Sequence, residues 1–126
     1  MPNVDLIKEW IKALRSNEYN QTRGALQDDY GYCCLGVLCE IDHYTTKRRI
    51  PFQSGKTTYT YSTKNNDFES SCSQLPTGLM VRLGILGDGQ AMLIDMNDHG
   101  RSFQYIADWI ENTAIKNLDT NYWKGD

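Results

Sequence analysis

The stretch Gly31-Tyr32-Cys33-Cys34-Leu35-Gly36-Val37-Leu38-Cys39-Glu40 decides the fold, because it places three of the four cysteines in an apolar segment directly after a turn. Leu35, Leu38 and Cys39 recur at helical spacing, which predicts a short helix from Leu35 to about His43, with a continued strand as the alternative. Cysteines in apolar company behave as small buried hydrophobic residues. The sequence therefore predicts that this segment belongs to the core and is not a reactive site.

The cysteines and the N-terminal sequence indicate in which cellular compartment the protein is expected. Cys33 and Cys34 are adjacent, which disfavours a disulfide between them. The N-terminus leads directly into an amphipathic pattern, without the charged and then apolar leader of a secreted protein. We therefore expect a cytoplasmic protein with reduced cysteines.

Size and charge exclude several classes of protein. The chain has 126 residues, a common size for one domain, so residues 1–126 are expected to form a single domain. Its 13 basic and 16 acidic residues are interleaved and give a formal net charge of −3. Because no block of one sign concentrates charge, general nucleic-acid binding is not expected. No apolar run approaches the length that crosses a bilayer, so a membrane partner is not expected either.

Two amphipathic helices frame the chain. The first is predicted from Asn3, as its N-cap, to about Ser16, and the second begins at the N-cap Ser102. Their apolar stripes are Val4, Ile7, Ile11 and Leu14 in the first, and Phe103, Ile106, Ala107, Ile110 and Ala114 in the second. Together with the strands below, they predict an α+β domain in which a small antiparallel sheet packs with the N-terminal and C-terminal helices.

The segments between these helices are more varied. Residues 22–34 are interpreted as a hairpin around Asp28-Asp29, and residues 57–61 as a strand in an otherwise looped region, 45–73, that includes the solvated run Lys47-Arg48-Arg49. A short helix is predicted from Pro76, as its first residue, to Leu83. Residues 91–94 are predicted to be a buried strand, followed by a polar loop over 95–101. The tail over 120–126, with Tyr122 and Trp123, is expected to pack back or to meet a partner.

Two motifs fail on spacing. Gly55-Lys56-Thr57 resembles the end of a phosphate-binding loop, but the required earlier glycine is Ile50 and the neighbouring Pro51 lacks an amide donor. The run 95–100 resembles the start of an EF-hand, but its twelfth position is Ile106 instead of a carboxylate. The cysteines and histidines do not have zinc-ligand spacing. We therefore predict no metal, no cofactor and no catalytic residues.

Tyrosines and arginines are the remaining positive feature. Eight of the 14 aromatic residues are tyrosine, and most lie in predicted loops and strands together with basic residues. Tyrosine rings stack on bases and guanidinium groups bind phosphates, so this mixture could line a pocket for a nucleotide-like molecule. The alternative is that the tyrosines are ordinary cross-strand stabilisers of a half-exposed sheet.

Four segments resemble a family of small proteins encoded by phages and prophages. They are 10–26, the double-cysteine segment 32–40, 75–84, and 96–111, which contains Met96-Asn97-Asp98-His99-Gly100-Arg101-Ser102-Phe103. The resemblance implies an accessory protein that acts in the bacterial host cytoplasm, and it transfers no catalytic residue. By analogy of class alone, such proteins include inhibitors of host defence and sponges that sequester nucleotide signals.

The leading hypothesis is therefore a non-enzymatic anti-defence protein that sequesters a cyclic oligonucleotide or an ADP-ribose derivative. Its predicted ligand-binding residues are Arg15, Arg23, Tyr30, Tyr32, Asn97, Asp98, His99 and Ser102. A homo-oligomer is expected, with Trp109, Tyr122 or Trp123 at the interface. One alternative is a protein-binding inhibitor or regulator of a host factor, and another is a signal-degrading enzyme that uses Asp95, Asp98 and His99.

Overall fold

A computed structural model describes residues 3–51, 57–63 and 66–123. It has the predicted α+β architecture, with a small antiparallel sheet and one hydrophobic core. The phosphate-loop residues Gly55 and Lys56 lie outside the described residues. The elements in chain order are α1 (Val4–Arg15), α2 (Cys34–Ile41), β1 (Thr45–Pro51), β2 (Thr57–Thr63), β3 (Asn66–Ser71), α3 (Thr77–Leu83), α4 (Gly87–Asp98), α5 (Phe103–Ile110) and a π-helical turn (Glu111–Ile115).

Helix α2 is the centre of the core, which confirms the interpretation of the double-cysteine segment. All six residues from Cys34 to Cys39 are buried, and the helix ends at Ile41. The indole Nε1 of Trp10 in α1 donates a 2.8 Å hydrogen bond to the carbonyl oxygen of Cys34. Gly36 lies directly against the backbone of Leu26, so α2 contacts the preceding loop without an intervening side chain.

The two framing helices form as predicted. Asn3 caps α1 by accepting a 3.0 Å hydrogen bond from the backbone N–H of Leu6, and Ser102 caps α5 by accepting one of 3.1 Å from Tyr105. Beyond Ile110 the helix widens into the π turn, which changes the angle between successive residues. As a result Thr113 is buried, whereas Ala114, predicted for the core stripe, is only partly buried.

Two parts of the predicted loop over 45–73 are instead strands, namely β1 and β3. The sheet has the order β1-β2-β3, and Lys47 of β1 pairs with Tyr61 of β2. The basic run Lys47-Arg48-Arg49 is exposed, as expected, but it lies on an edge strand. This strand lacks the apolar alternation that marks a half-buried strand, and its backbone pairing with β2 supplies its stability.

The predicted hairpin over 22–34 forms no regular strands. Individual hydrogen bonds hold this segment together, including Thr22 N–H to Tyr32 O at 2.8 Å and Cys33 N–H to Leu26 O at 3.1 Å. The turn itself was predicted correctly, because the Asp28 carboxylate accepts hydrogen bonds from the next backbone N–H groups. Gly24 adopts a φ of 80°, a left-handed conformation that interrupts an extended strand.

The predicted strand over 91–94 is wrong, because residues 87–98 form helix α4. The buried residues of α4 recur at helical spacing, but Gln90 and Asn97 are among them. These polar residues obscure the apolar period. Gln90 is accommodated because its Oε1 accepts a 2.6 Å hydrogen bond from Leu75 N–H. The short helix α3 forms as predicted, with Pro76 as its N-cap instead of its first residue.

The C-terminal tail packs back onto the core. Trp123 is 3% exposed, and its Nε1 donates a 3.1 Å hydrogen bond to the carbonyl of Leu83. Its ring centroid lies 5.9 Å from that of Trp109, which also contacts Tyr122 at 5.2 Å. The three residues expected at an oligomer interface therefore contact one another within the chain. No helix among the described residues is long and apolar enough to cross a membrane.

Candidate functional site

The eight predicted ligand-binding residues lie in three parts of the fold, and two of these parts are adjacent, because Gly24 N–H bonds Asp98 and Gly100 lies against the Arg23 guanidinium. Arg15 lies at the end of α1, Arg23, Tyr30 and Tyr32 lie in the irregular loop before α2, and the remaining four lie around the junction of α4 and α5. Tyr32 packs edge-on against Tyr19 with ring centroids 5.3 Å apart, and burial raises the pKa of its phenol.

Asn97 is a structural residue. It is fully buried, and its Oδ1 accepts hydrogen bonds from Gln21 Nε2 at 2.9 Å and from Cys34 N–H at 3.1 Å. Its Nδ2 donates to the carbonyl of Thr22 at 2.8 Å. The side chain thus joins α4 to the start of α2 and to the irregular loop, and its amide is not presented to a ligand.

Asp98, His99 and Ser102 also stabilise the local backbone. Asp98 Oδ1 accepts a 3.1 Å hydrogen bond from Gly24 N–H, and Ser102 is the N-cap of α5. The exposed ring of His99 lies beside Asp95, with Nδ1 at 2.8 Å from its carbonyl and at 3.1 Å from its carboxylate. These contacts explain why polar groups cluster before α5 without requiring a ligand.

Arg23 and Tyr30 share a small concavity of about 160 Å³. Tyr30 is 68% exposed, and Arg23 has no hydrogen-bond or ion-pair partner among the described residues. Asp28 and Asp29 line the same concavity, so its charged side chains carry a net charge of −1. A nucleotide pocket usually has at least about 300 Å³. This concavity is therefore too small for a whole nucleotide, and its charge opposes phosphate.

A larger groove lies between α1 and the π turn, and we call it the α1 groove. It has a volume of about 500 Å³ and is lined by Lys8, Ile11, Lys12, Arg15, Ser16, Glu111 and Ile115. The two isoleucines form an apolar floor, in which Ile11 is 5% exposed. Three cationic side chains and one carboxylate surround this floor and give it a net charge of +2. The groove thus has the opposite sign to the whole chain.

The cations of the α1 groove differ in their pairing. Arg15 Nη2 lies 2.7 Å from Asp108 Oδ1 and 3.4 Å from Glu111 Oε1. The hydrogen bond to Asp108, aided by Glu111, raises the pKa of Arg15 against the opposing effect of burial. Lys8 and Lys12 have no such partner in the part of the chain that the structure describes. They are the two cations that remain available to a bound molecule.

The two walls of this groove come from the helical repeat of α1 and from the π turn. Lys8, Ile11, Lys12 and Arg15 follow the i, i+3, i+4, i+7 spacing and lie along one side of α1. The opposite wall comes from the first and last residues of the π turn, Glu111 and Ile115. π turns are rare and frequently occur at functional sites. Only Arg15 of the predicted site residues belongs to this groove.

The α1 groove can bind a molecule, but it offers little for chemistry. Among the described residues of its lining there is no cysteine or histidine, and the one carboxylate there, Glu111, is paired with Arg15. Elsewhere, burial raises the pKa of the Cys33 thiol to about 11 and the pKa values of Cys34 and Cys39 well above the ordinary value, so these thiols are poor nucleophiles. Within the described residues, no group of three or more potential ligands could hold a metal ion.

The fold and the groove define a small α+β protein with an amphipathic groove between helical walls. The chain matches the domain of unknown function DUF8296 over residues 3–114, and it belongs to this family. The match spans α1 to α5, β1 to β3 and the groove residues up to Glu111. No curated protein and no solved structure matches the chain.

Proposed function

We propose that this protein is a non-enzymatic inhibitor or regulator that binds an acidic partner protein in the α1 groove. The observation that carries the proposal is a pair of cations, Lys8 and Lys12, that have no partner among the described residues and that line a groove of about 500 Å³ together with the buried Ile11. The resemblance to phage-encoded proteins supplies the context, which is the inhibition of a defence factor in the bacterial cytoplasm.

A protein partner suits this groove better than a nucleotide does. The described residues that line the groove include no aromatic side chain on which a base could stack. Its walls are helical, so most of their backbone N–H groups are already bonded within the helices and are unavailable to a phosphate or a base edge. An open amphipathic groove with an apolar floor and a charged rim instead resembles the polar-rimmed surfaces through which proteins associate.

Charge reversal in the groove is expected to abolish capture of the partner. The double variant Lys8→Glu, Lys12→Glu places two carboxylates beside Glu111, so an acidic partner is repelled. The measurement is affinity capture from a bacterial host lysate, identification of the retained protein, and binding of that purified protein to the wild type and the variant.

The matched control is Arg48→Glu, Arg49→Glu, which changes the net charge equally on the exposed strand β1. The proposal expects the control to retain the identified partner and the groove variant to lose it. Retention by both variants, or the absence of any reconstituted partner, would contradict the proposed function.

Sequestration of a nucleotide-derived signal is the second candidate function. It is favoured by Arg23 and Tyr30, which share a concavity and whose side chains make no hydrogen bond or ion pair with the residues that the structure describes. Arg23 would neutralise a phosphate and Tyr30 would stack on a base. Because 160 Å³ is too small for a whole nucleotide, a second copy of the chain would have to complete the pocket, which agrees with the expected homo-oligomer.

A depletion assay tests this second candidate. The protein is incubated with cyclic dinucleotides or cyclic ADP-ribose isomers, free ligand is followed, and the protein is then denatured by heat. Sequestration predicts that ligand disappears and returns intact, and that Arg23→Ala abolishes depletion with a nearly unchanged Tm. Conversion of the ligand to a product would instead support the enzyme with Asp95, Asp98 and His99. Absence of depletion would reject both.

A further inference from the structure

We infer that the occupant of the α1 groove is an acidic amphipathic α-helix of the partner protein. This inference rests on the proposed function, because it specifies the partner that the same groove accepts. It depends on three properties of the groove: the spacing of its cations, the position of its apolar floor and the fact that its backbone groups are hydrogen-bonded within helices.

The spacing of the cations follows a helical repeat. Lys8 and Lys12 are one turn apart on α1, and Arg15 lies a further turn along the same side. At a rise of 1.5 Å per residue, the distance along the axis from Lys8 to Arg15 is about 10.5 Å. A helix lying along α1 presents side chains at the same axial repeat, so acidic residues one turn apart can face Lys8 and Lys12 together.

The position of the apolar floor determines which residues the partner helix must have on the side that enters the groove. Ile11 comes from α1 and Ile115 comes from the π turn, so the floor lies between two helical walls. Side chains at i and i+4 of a third helix project into such a groove in the same manner as the helices of a bundle. A partner helix therefore needs apolar residues at this spacing, flanked by Asp or Glu.

The backbone argues for a helix over an extended peptide. An extended segment must find partners for its own N–H and C=O groups, and it usually finds them at the edge of a sheet. Both walls of the α1 groove are helical, and the π turn ends with its own bond from Lys116 N–H to Glu111 O at 2.9 Å. A helix satisfies its backbone internally and needs only side-chain contacts.

The groove already contains one example of the pairing that we infer. Arg15 of α1 is bound across the helix interface by Asp108 of α5 and Glu111 of the π turn. The chain's own acidic residues thus satisfy the third cation, while Lys8 and Lys12 remain without described partners. The specific charge interactions with a partner helix are therefore expected from these two lysines and not from Arg15.

A peptide probe tests this inference. The probe is a fluorescent, acidic peptide of about 14 residues, four turns of helix, with Leu at i, i+4, i+7 and i+11 and Glu on both sides of the stripe. Its control has the same composition in an order without a helical stripe. Fluorescence anisotropy with the full chain measures both affinities at low and at physiological salt.

We expect the striped peptide to bind at least about tenfold more tightly than the scrambled peptide, and Lys8→Glu, Lys12→Glu to weaken it by about tenfold or more. Arg48→Glu, Arg49→Glu should leave its affinity unchanged. Equal binding of the two peptides, equal binding by the groove variant, or no binding would overturn the inference. If a host partner is nevertheless captured in a groove-dependent manner, the proposed function survives and only the helical occupant is rejected.

Discussion

The variant Gly36→Ala is expected to lose about 4 kcal/mol or more of its free energy of unfolding. An ideal Cβ at Gly36 would lie only 2.6 Å from the carbonyl carbon of Leu26 and closer still to its carbonyl oxygen. Both groups are backbone atoms in the core, so the new methyl group can be accommodated only by moving α2 away from the loop. Urea denaturation followed by far-UV circular dichroism measures the loss.

The matched control for this variant is Gly87→Ala. Gly87 is the first residue of α4, and a Cβ at this position would meet no atom within 4 Å. Alanine also has a higher helix propensity than glycine. The free energy of unfolding of the control should therefore lie within about 1 kcal/mol of that of the wild type or be slightly higher. If Gly36→Ala were as stable as this control, the direct contact between α2 and Leu26 would be refuted.

The variant Asn97→Ala is expected to lose about 2–4 kcal/mol of its free energy of unfolding. It removes an amide that bonds Gln21, Cys34 N–H and the carbonyl of Thr22, of which Cys34 N–H is a buried backbone group and the Thr22 carbonyl is partly buried. Losing their partner leaves them without hydrogen bonds, which costs more than the bonds themselves contribute.

The exposed Asn112→Ala is the matched control for Asn97 and should change stability by less than about 0.5 kcal/mol. The two variants are compared by urea denaturation, and the depletion of cyclic dinucleotides or cyclic ADP-ribose isomers, the ligands of the second candidate function, is measured on the folded fraction. A stable Asn97→Ala protein with impaired ligand binding would show that Asn97 is a site residue instead of a structural one.

The sequence predicts correctly those helices in which every buried position of the helical repeat is an apolar residue. In α1 and α5 the buried residues are apolar and regularly spaced, and capping residues mark both starts. In α4, Gln90 and Asn97 occupy buried positions and bond to distant backbone groups, so the local sequence cannot reveal the face that they share. Strand β1 was missed for a related reason, because pairing with β2 stabilises a segment with almost no apolar pattern.

The site was harder to predict than the fold. Arg15 and Arg23 are near each other in sequence, yet Arg15 lies in the α1 groove and Arg23 lies in the separate concavity with Tyr30. The cluster before α5 has the right chemical groups for a polar ligand, but caps and loops use most of them. The stripe over Lys8, Ile11, Lys12 and Arg15 is visible in the sequence, whereas its opposite wall depends on how α5 packs and where it widens.

The geometry of the fold explains why this side of α1 remains open. Trp10 and Leu14 face the core, where Trp10 is held by the start of α2. Helix α5 packs against α1, and the groove lies beside this helix pair, with Ile11 of α1 and Ile115 of the π turn both in its lining. The groove is thus a consequence of the same helix pair that stabilises the domain, so a partner would meet a preformed surface.

A charge-swap measurement tests the central claim most directly, namely that the α1 groove recognises an acidic helix through Lys8 and Lys12. The striped peptide and a version with Lys in place of the groove-facing Glu residues are each titrated against the wild type and against Lys8→Glu, Lys12→Glu. We predict that the two charge-matched pairs bind within about threefold of each other and that each mismatched pair is at least about tenfold weaker. If each peptide bound the wild type and the variant with the same affinity, the account would be contradicted.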